Sequence, residues 1–219
     1  MDNSQAQSAL QMLRGNLESS ATPNMERAIK NKAYIAALVY GLAYIDTMAG
    51  YYFGLDARVL VKKLKKRGDG VDVRYEAFIG KYLSPAQSGC DYTRLDLYAS
   101  LRCPMLHSLM AGHTRKGKYL FSLDHTIARQ HGTVQGTTVL FDVPTFCGDV
   151  LCAVGMYLSD VEKALSQAPE PSLLTSFKYW WDNGYSILVS AELEQPTKQS
   201  WLRSLVTQFI GFLQIKRAG

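Results

Sequence analysis

In the segment DYTRLDLYASLRCPMLHSLM (91–110), Arg102 and His107 stand five residues apart with Pro104 between them. Arginine is permanently charged, and its planar fork matches phosphate oxygens. Histidine titrates near neutrality and can take or give a proton. They are the one pair in this chain equipped for phosphoryl chemistry with neither a metal nor an organic cofactor. On a regular helix, residues five apart diverge by about 140°. Pro104 has no N–H for the Ser100 carbonyl and pushes Cys103 out of the α region. A kink or widened turn there is expected to swing both side chains towards one cleft. The plain alternative is that Arg102 answers a neighbouring acid such as Asp96 and His107 is a half-buried structural histidine.

The element expected to position Arg102 lies upstream. NMERAIKNKAYIAALVYGLAYIDTMAGYYFG (24–54) reads as one strong helix, capped by Asn24 and with Glu26 in the first turn. Within it, residues 33–53 carry a single formal charge, Asp46. Asp46, Thr47 and the wealth of Ala, Gly and Tyr mark a core helix rather than a membrane span. A carboxylate in so apolar a setting needs a partner, and Arg102 is the expected one. That pair is either a structural ion pair or a device by which Asp46 orients Arg102 beside a phosphate. Ala37 and Gly41, small and four apart, invite close approach by a helix of this chain or of a second copy.

LYASLRCPMLHS (97–108) resembles the motif helix of the HEPN superfamily (higher eukaryotes and prokaryotes nucleotide-binding domain), whose signature is Arg, four to six residues, then His. Residues Tyr44, Ile45, Asp46, Ala49, Gly50, Tyr51 and Gly54 are similar to the first long helix of some members. The chain departs from the family pattern at Cys103, where active members often carry a polar residue, and at Leu109, where toxin–antitoxin members carry Tyr. The resemblance covers roughly residues 25–164. It implies a homodimer in which two Arg–His sets face each other. It also implies a metal-independent endoribonuclease or RNA-binding role in a bacterial defence or stress setting. In that reading the RNA 2′-OH is the nucleophile, and Arg102, His107 and Asp46 form the catalytic set. A non-catalytic protein-interaction module, its Arg and His turned structural, is the alternative.

A net charge of +5 permits a polyanionic partner without requiring one. Much of the excess sits in KKLKKR (62–67) and HTRKGK (113–118). Lys62, Lys63, Lys65, Lys66, Arg115 and Lys116 are the candidate nucleic-acid contacts, against the ordinary reading of solvated faces. The four cysteines form no C-x-x-C pair and read as reduced cytoplasmic thiols. His107/His113 and His125/His131 are six apart, a spacing that suits no helical metal pair, so neither metal nor cofactor is expected.

At 219 residues, 47% apolar and 20% charged, the sequence is that of an ordinary globular chain. Residues 1–23 read as a frayed helix or mobile arm, not a signal peptide. Residues 55–67 and 71–83 read as short helices. Alternation over 118–123 and 137–143 suggests a β-hairpin whose polar tip holds His125, Arg129 and His131. Pro144 suits the start of a helix over 150–165, and the prolines within 167–172 suggest a boundary. Residues 173–191 fit either a helix or, by the Asn183-Gly184 signal, a hairpin, which is preferred. Trp201 opens an apolar stripe on a final helix capped by Thr197.

The expected fold is mainly α. It comprises a HEPN-like helical bundle over 24–166 with a β-hairpin insertion at about 118–143, and a C-terminal appendage over 172–219 made of a hairpin plus helix.

Overall fold

Asp2 opens the first helix, α1 (Asn3–Asn16), through a reciprocal cap: Gln5 N–H donates to Asp2 Oδ1 at 2.8 Å and Asp2 N–H to Gln5 Oε1 at 2.9 Å. The computed structural model describes residues 2–53, 70–84, 86–108, 118–122, 125–166 and 171–181. Of the two readings for the N-terminal stretch, frayed helix or mobile arm, the structure has the helix. Ala6, Ala9, Leu10 and Leu13 make a buried stripe at helical spacing.

A widened π turn, Leu17–Ala21, leads from α1 into α2 (Thr22–Lys30), so Ala21 rather than Asn24 precedes α2. In the π turn the Thr22 N–H reaches back five residues to the Leu17 carbonyl. Pro23 then falls in the first turn of α2, where its missing N–H costs little. The expected single helix over 24–54 is broken in two. Lys32 takes φ 56°, with Lys32 N–H donating to Ile29 O at 2.9 Å and Ala33 N–H to Ala28 O at 2.7 Å. That pair of bonds is a Schellman stop, built on Lys in the place usually held by Gly.

α3 (Tyr34–Phe53) is the central element, burying Leu38, Leu42, Ile45, Met48 and Tyr51. The neighbour invited by Ala37 and Gly41 belongs to the same chain: α6 (Val143–Ser166) brings Phe146 against Gly41. A Cβ on Gly41 would sit 2.8 Å from the Phe146 ring. Gly41→Leu should lower stability by roughly 1–3 kcal/mol through overpacking, read as a lower urea midpoint. An unchanged midpoint would show that α3 and α6 do not meet there.

Residues 54–69 and 109–117, with the KKLKKR run and Arg115 and Lys116, lie outside the described residues. α4 (Val71–Phe78) follows and widens into a π turn, Ile79–Leu83. Its Phe78 and Tyr82 pack with Tyr52 of α3 and Tyr157 of α6 in an aromatic layer, ring centres 5.2–6.5 Å apart. The segment expected as one motif helix is divided. Asp91 caps a 3-10 turn (Tyr92–Arg94), and Asp96 takes φ 50°. A π turn (Tyr98–Arg102) then runs into α5 (Cys103–Ser108). The Cys103 N–H donates to the Tyr98 carbonyl, five residues back, so Pro104 is accommodated just as Pro23 is. The widening ends at Arg102 and does not fall between Arg102 and His107, and Cys103 stays in the α region (φ −63°, ψ −52°) against the expectation set by Pro104.

β1 (Lys118–Ser122), β2 (Val134–Gln135) and β3 (Thr138–Asp142) form a sheet of order β1-β3-β2. The expected hairpin between residues 118 and 143 is absent: β1 runs parallel to β3, and the short antiparallel partner of β3 is β2. An alternating pattern fixes which faces are apolar, not strand direction. Tyr119 and Phe121 share a face with Phe141 in either sense.

α7 (Pro171–Trp180) is the helix option for the tail, not the preferred hairpin. Leu173 and Phe177, one turn apart, are buried, Phe177 stacks on Tyr51 with ring centres 5.5 Å apart, and Ser176 Oγ donates to Phe53 O. The chain divides into units Met1–Trp180 and Trp181–Gly219, with α7 in the first. The expected helix after Thr197 lies outside the described residues. No described helix is long and apolar enough to cross a membrane. The fold is mainly helical, with one small three-stranded sheet.

Candidate functional site

Arg102 ends the π turn, Asp46 sits on the fourth turn of α3, and Arg74 lies on α4; the three converge. Arg102 Nη2 donates to Asp46 Oδ2 at 2.6 Å, while Arg74 Nη2 stands 3.8 Å from Asp46 Oδ1. One carboxylate thus faces two guanidiniums. The guanidinium of Arg102 also lies over the Tyr98 ring, 5.2 Å from its centre. Burial works against the Arg102 charge, but the hydrogen bond and charge of Asp46 outweigh it and raise its pKa. The side chains are 15% exposed for Arg102, 19% for Arg74 and 21% for Asp46, so the cluster is half-sunken.

Asp46 and Arg102 were paired by expectation on the apolar setting of Asp46, and they meet. Asp96, the alternative acid, instead takes a long contact of 3.5 Å from Ser100 Oγ. The backbone of His107 is in α5, one turn beyond Arg102, but its side chain lies outside the described residues, as do Lys62, Lys63, Lys65, Lys66, Arg115 and Lys116. Arg74 was missed. Nothing in VDVRYEAF distinguishes its single Arg from a solvated one.

A surface recess of about 200 Å³ lies beside the motif, lined by Glu76, Ile79, Tyr92, Asp96, Leu97 and Tyr98. Its two carboxylates make it a poor host for a polyanion.

No family model, characterised protein or solved structure matches this chain.

A second polar assembly lies inside the fold. His131, expected in a polar loop tip, is buried. Its Nδ1 accepts the Asp142 backbone N–H at 2.9 Å, which places the ring proton on Nε2. Nε2 then donates to Tyr92 Oη at 2.7 Å, and Tyr92 O–H donates to Asp149 Oδ2 at 2.7 Å. Asp149 also accepts Ser88 Oγ–H at 2.5 Å and Ser88 N–H at 3.0 Å. Asp142, fully buried, caps α6 by accepting Thr145 N–H and Oγ–H, and His125 stands 3.2 Å from it. Donors and acceptors thus run in one direction from the sheet through the 3-10 turn to α6. Ser88 and His131 do not touch, so the chain is no nucleophile–base pair. It ties the loop before the motif to β3 and α6.

Gly132 follows His131 at φ 77°, and a Cβ there would run into the Cys90 sulfur. Burial, then Asp149 and Asp91, pushes the Cys90 thiol up to about 12. Cys147 is likewise raised to about 12, chiefly by burial. All four cysteines are free, and Cys90 and Cys147 are buried. Among the described residues no group of three or more His, Cys, Asp and Glu is placed to hold a metal ion.

Burial lowers the His131 pKa, and the charges of Asp149 and Asp142 only partly oppose it. The unfolded chain therefore takes up this proton more readily than the folded one. The stability tied to neutral His131 is complete above the unfolded value, about 6.5, and is lost as the pH falls below it. Urea midpoints should drop between pH 7.5 and 5.5, and His131→Gln should flatten that slope. Equal slopes in the two proteins would remove His131 as the cause.

Proposed function

We propose that this chain is a HEPN-like RNA-binding homodimer that cleaves RNA without a metal, in a cytoplasmic setting. The observation that carries the reading is the convergence of Arg74 and Arg102 on one carboxylate, next to the helix that bears His107. Guanidinium groups at a half-sunken position suit a phosphodiester anion.

In this reading Arg102 holds the non-bridging phosphate oxygens, and Asp46 sets its orientation. His107 accepts the 2′-OH proton as that oxygen attacks phosphorus. The P–O5′ bond breaks, leaving a 2′,3′-cyclic phosphate and a 5′-hydroxyl. The leaving oxygen needs a proton, and one imidazole is a single proton-transfer group. The His107 of a second copy is the natural donor, which gives the homodimer its purpose.

Single-stranded RNA incubated with the protein in excess EDTA should be cut to cyclic-phosphate ends, while an all-2′-deoxy oligonucleotide survives. Cutting that stops on chelation would end the proposal.

One observation favours the second reading, a non-catalytic interaction module. Arg102 is already engaged by Asp46 at 2.6 Å and by the Tyr98 ring, which suffices for a purely structural role. That reading expects no cleavage by any form of the protein.

A further inference from the structure

Residues 86–95, the stretch before the π turn, are tied to the fold through side chains. Among the described residues their backbone bonds close on the segment itself, as in Gly89 N–H to Ala86 O at 2.9 Å and Leu95 N–H to Tyr92 O at 3.1 Å. The ties outward are Ser88 to Asp149, Tyr92 N–H to Ser84 Oγ, Tyr119 O–H to Leu95 O, and the Tyr92 hydroxyl between Asp149 and His131. His131, across that contact, is held on a backbone ladder: Gly132 N–H donates to Leu140 O at 2.8 Å and Leu140 N–H to Thr133 O at 2.9 Å. When the contact fails, the segment tied by side chains is the side that yields.

One proton is enough to upset the contact. His131 Nδ1 has to accept the Asp142 N–H, and an imidazolium has two N–H donors and no acceptor. The protonated ring therefore turns an N–H against an N–H, and it does so buried, with its edge on Phe141 at 4.8 Å between ring centres. The groups that face it are Asp142 from β3, Asp149 from α6, Tyr92 from the 3-10 turn and, through Gly132, the Cys90 thiol. The two carboxylates favour the added charge, but burial outweighs them.

We propose that His131 is the trigger of an acid-opened latch: once Nδ1 takes up a proton it releases the Asp142 N–H, and residues 86–95 part from β3 and α6 while the rest of the fold stays formed. Those residues lead into the π turn that ends at Arg102, so the latch makes the Arg102 cluster sensitive to acid. It needs no ligand and stands apart from the RNA reading.

The test is amide hydrogen exchange, followed by NMR on the full chain at pH 7.5 and 5.5, with each rate divided by the intrinsic chemical rate at that pH. The amides to follow are those of Cys90 and Tyr92, both buried, which donate to Ser88 Oγ and Ser84 Oγ. Their protection should lie below that of the buried amides of α3 and α6. It should fall about ten-fold between the two pH values, the share of one proton taken up at about pH 6.5 in the open segment. His131→Gln, which keeps one donor and one acceptor at every pH, should remove the fall. His125→Gln, which alters the exposed neighbour of Asp142, should leave it in place. Protection at pH 5.5 equal to that of α3 and α6 means that the segment opens only with the whole fold, and overturns the proposal. So does a fall that persists in His131→Gln. A fall abolished by His125→Gln overturns it even where His131→Gln does not fold.

Discussion

His107→Ala is expected to cut the rate of RNA cleavage by roughly 10²–10⁴-fold, the usual weight of a general acid–base group, without moving the melting temperature. Arg102→Ala is expected to lose at least as much, because it removes the charge that faces the phosphate. The two variants differ in stability. Arg102→Ala leaves the Asp46 carboxylate, 21% exposed, with only the more distant Arg74, so its stability falls as well. Arg102→Lys therefore separates chemistry from folding. It keeps the ion pair with Asp46 and gives up the bidentate fork, so the fold is retained and cleavage is reduced. Rates should be measured under single-turnover conditions, with circular dichroism on each protein. Full activity in either alanine variant would place the chemistry elsewhere in the molecule.

The largest effect on stability is expected at Asp149. Asp149→Ala removes the acceptor of Tyr92 O–H, Ser88 O–H and Ser88 N–H at once. Each stranded buried donor costs about 1–3 kcal/mol, and the coupled loss should reach roughly 3–5 kcal/mol. That is a large part of the stability of an ordinary domain. The exposed Arg14–Glu162 pair, at 2.9 Å, provides the contrast. Its removal should shift stability by about 1 kcal/mol or less, since solvent screens it. Urea denaturation of Asp149→Ala and Glu162→Ala side by side tests this, and equal midpoints would mean that the buried chain contributes no more than a surface contact.

How much of this was legible in the sequence depends on what each signal can encode. The centrality of α3 and the pairing of Asp46 follow from one charge in a long apolar run, because burial makes a lone carboxylate intolerable. The close helix contact at Gly41 follows from side-chain size, though only the fold identifies α6 as the neighbour. Pro104 announces a distortion, but proline chemistry leaves its location open, and the widened turn ends at Arg102. α1 was legible only as a frayed helix or an arm because two of its four buried residues are alanines, which give a weak apolar signal. Arg74 meets Asp46, and Tyr92, His131 and Asp149 meet one another, each from a separate part of the chain. No local pattern records such a meeting, and the polar surroundings of His131 point to solvent when it is in fact interior.

The parallel pairing of β1 with β3 governs the order in which the molecule can assemble. β2 and β3 join across Gly136 and find each other by local encounter. β1 has no ladder partner until the intervening chain, residues 123–137, has looped back. The hydrogen bond from Tyr119 to the Leu95 carbonyl waits on the same event. The backbone just upstream of Arg102 should therefore be among the last parts to gain protection from hydrogen exchange during refolding, and a chain released before that closure would carry the motif without its support.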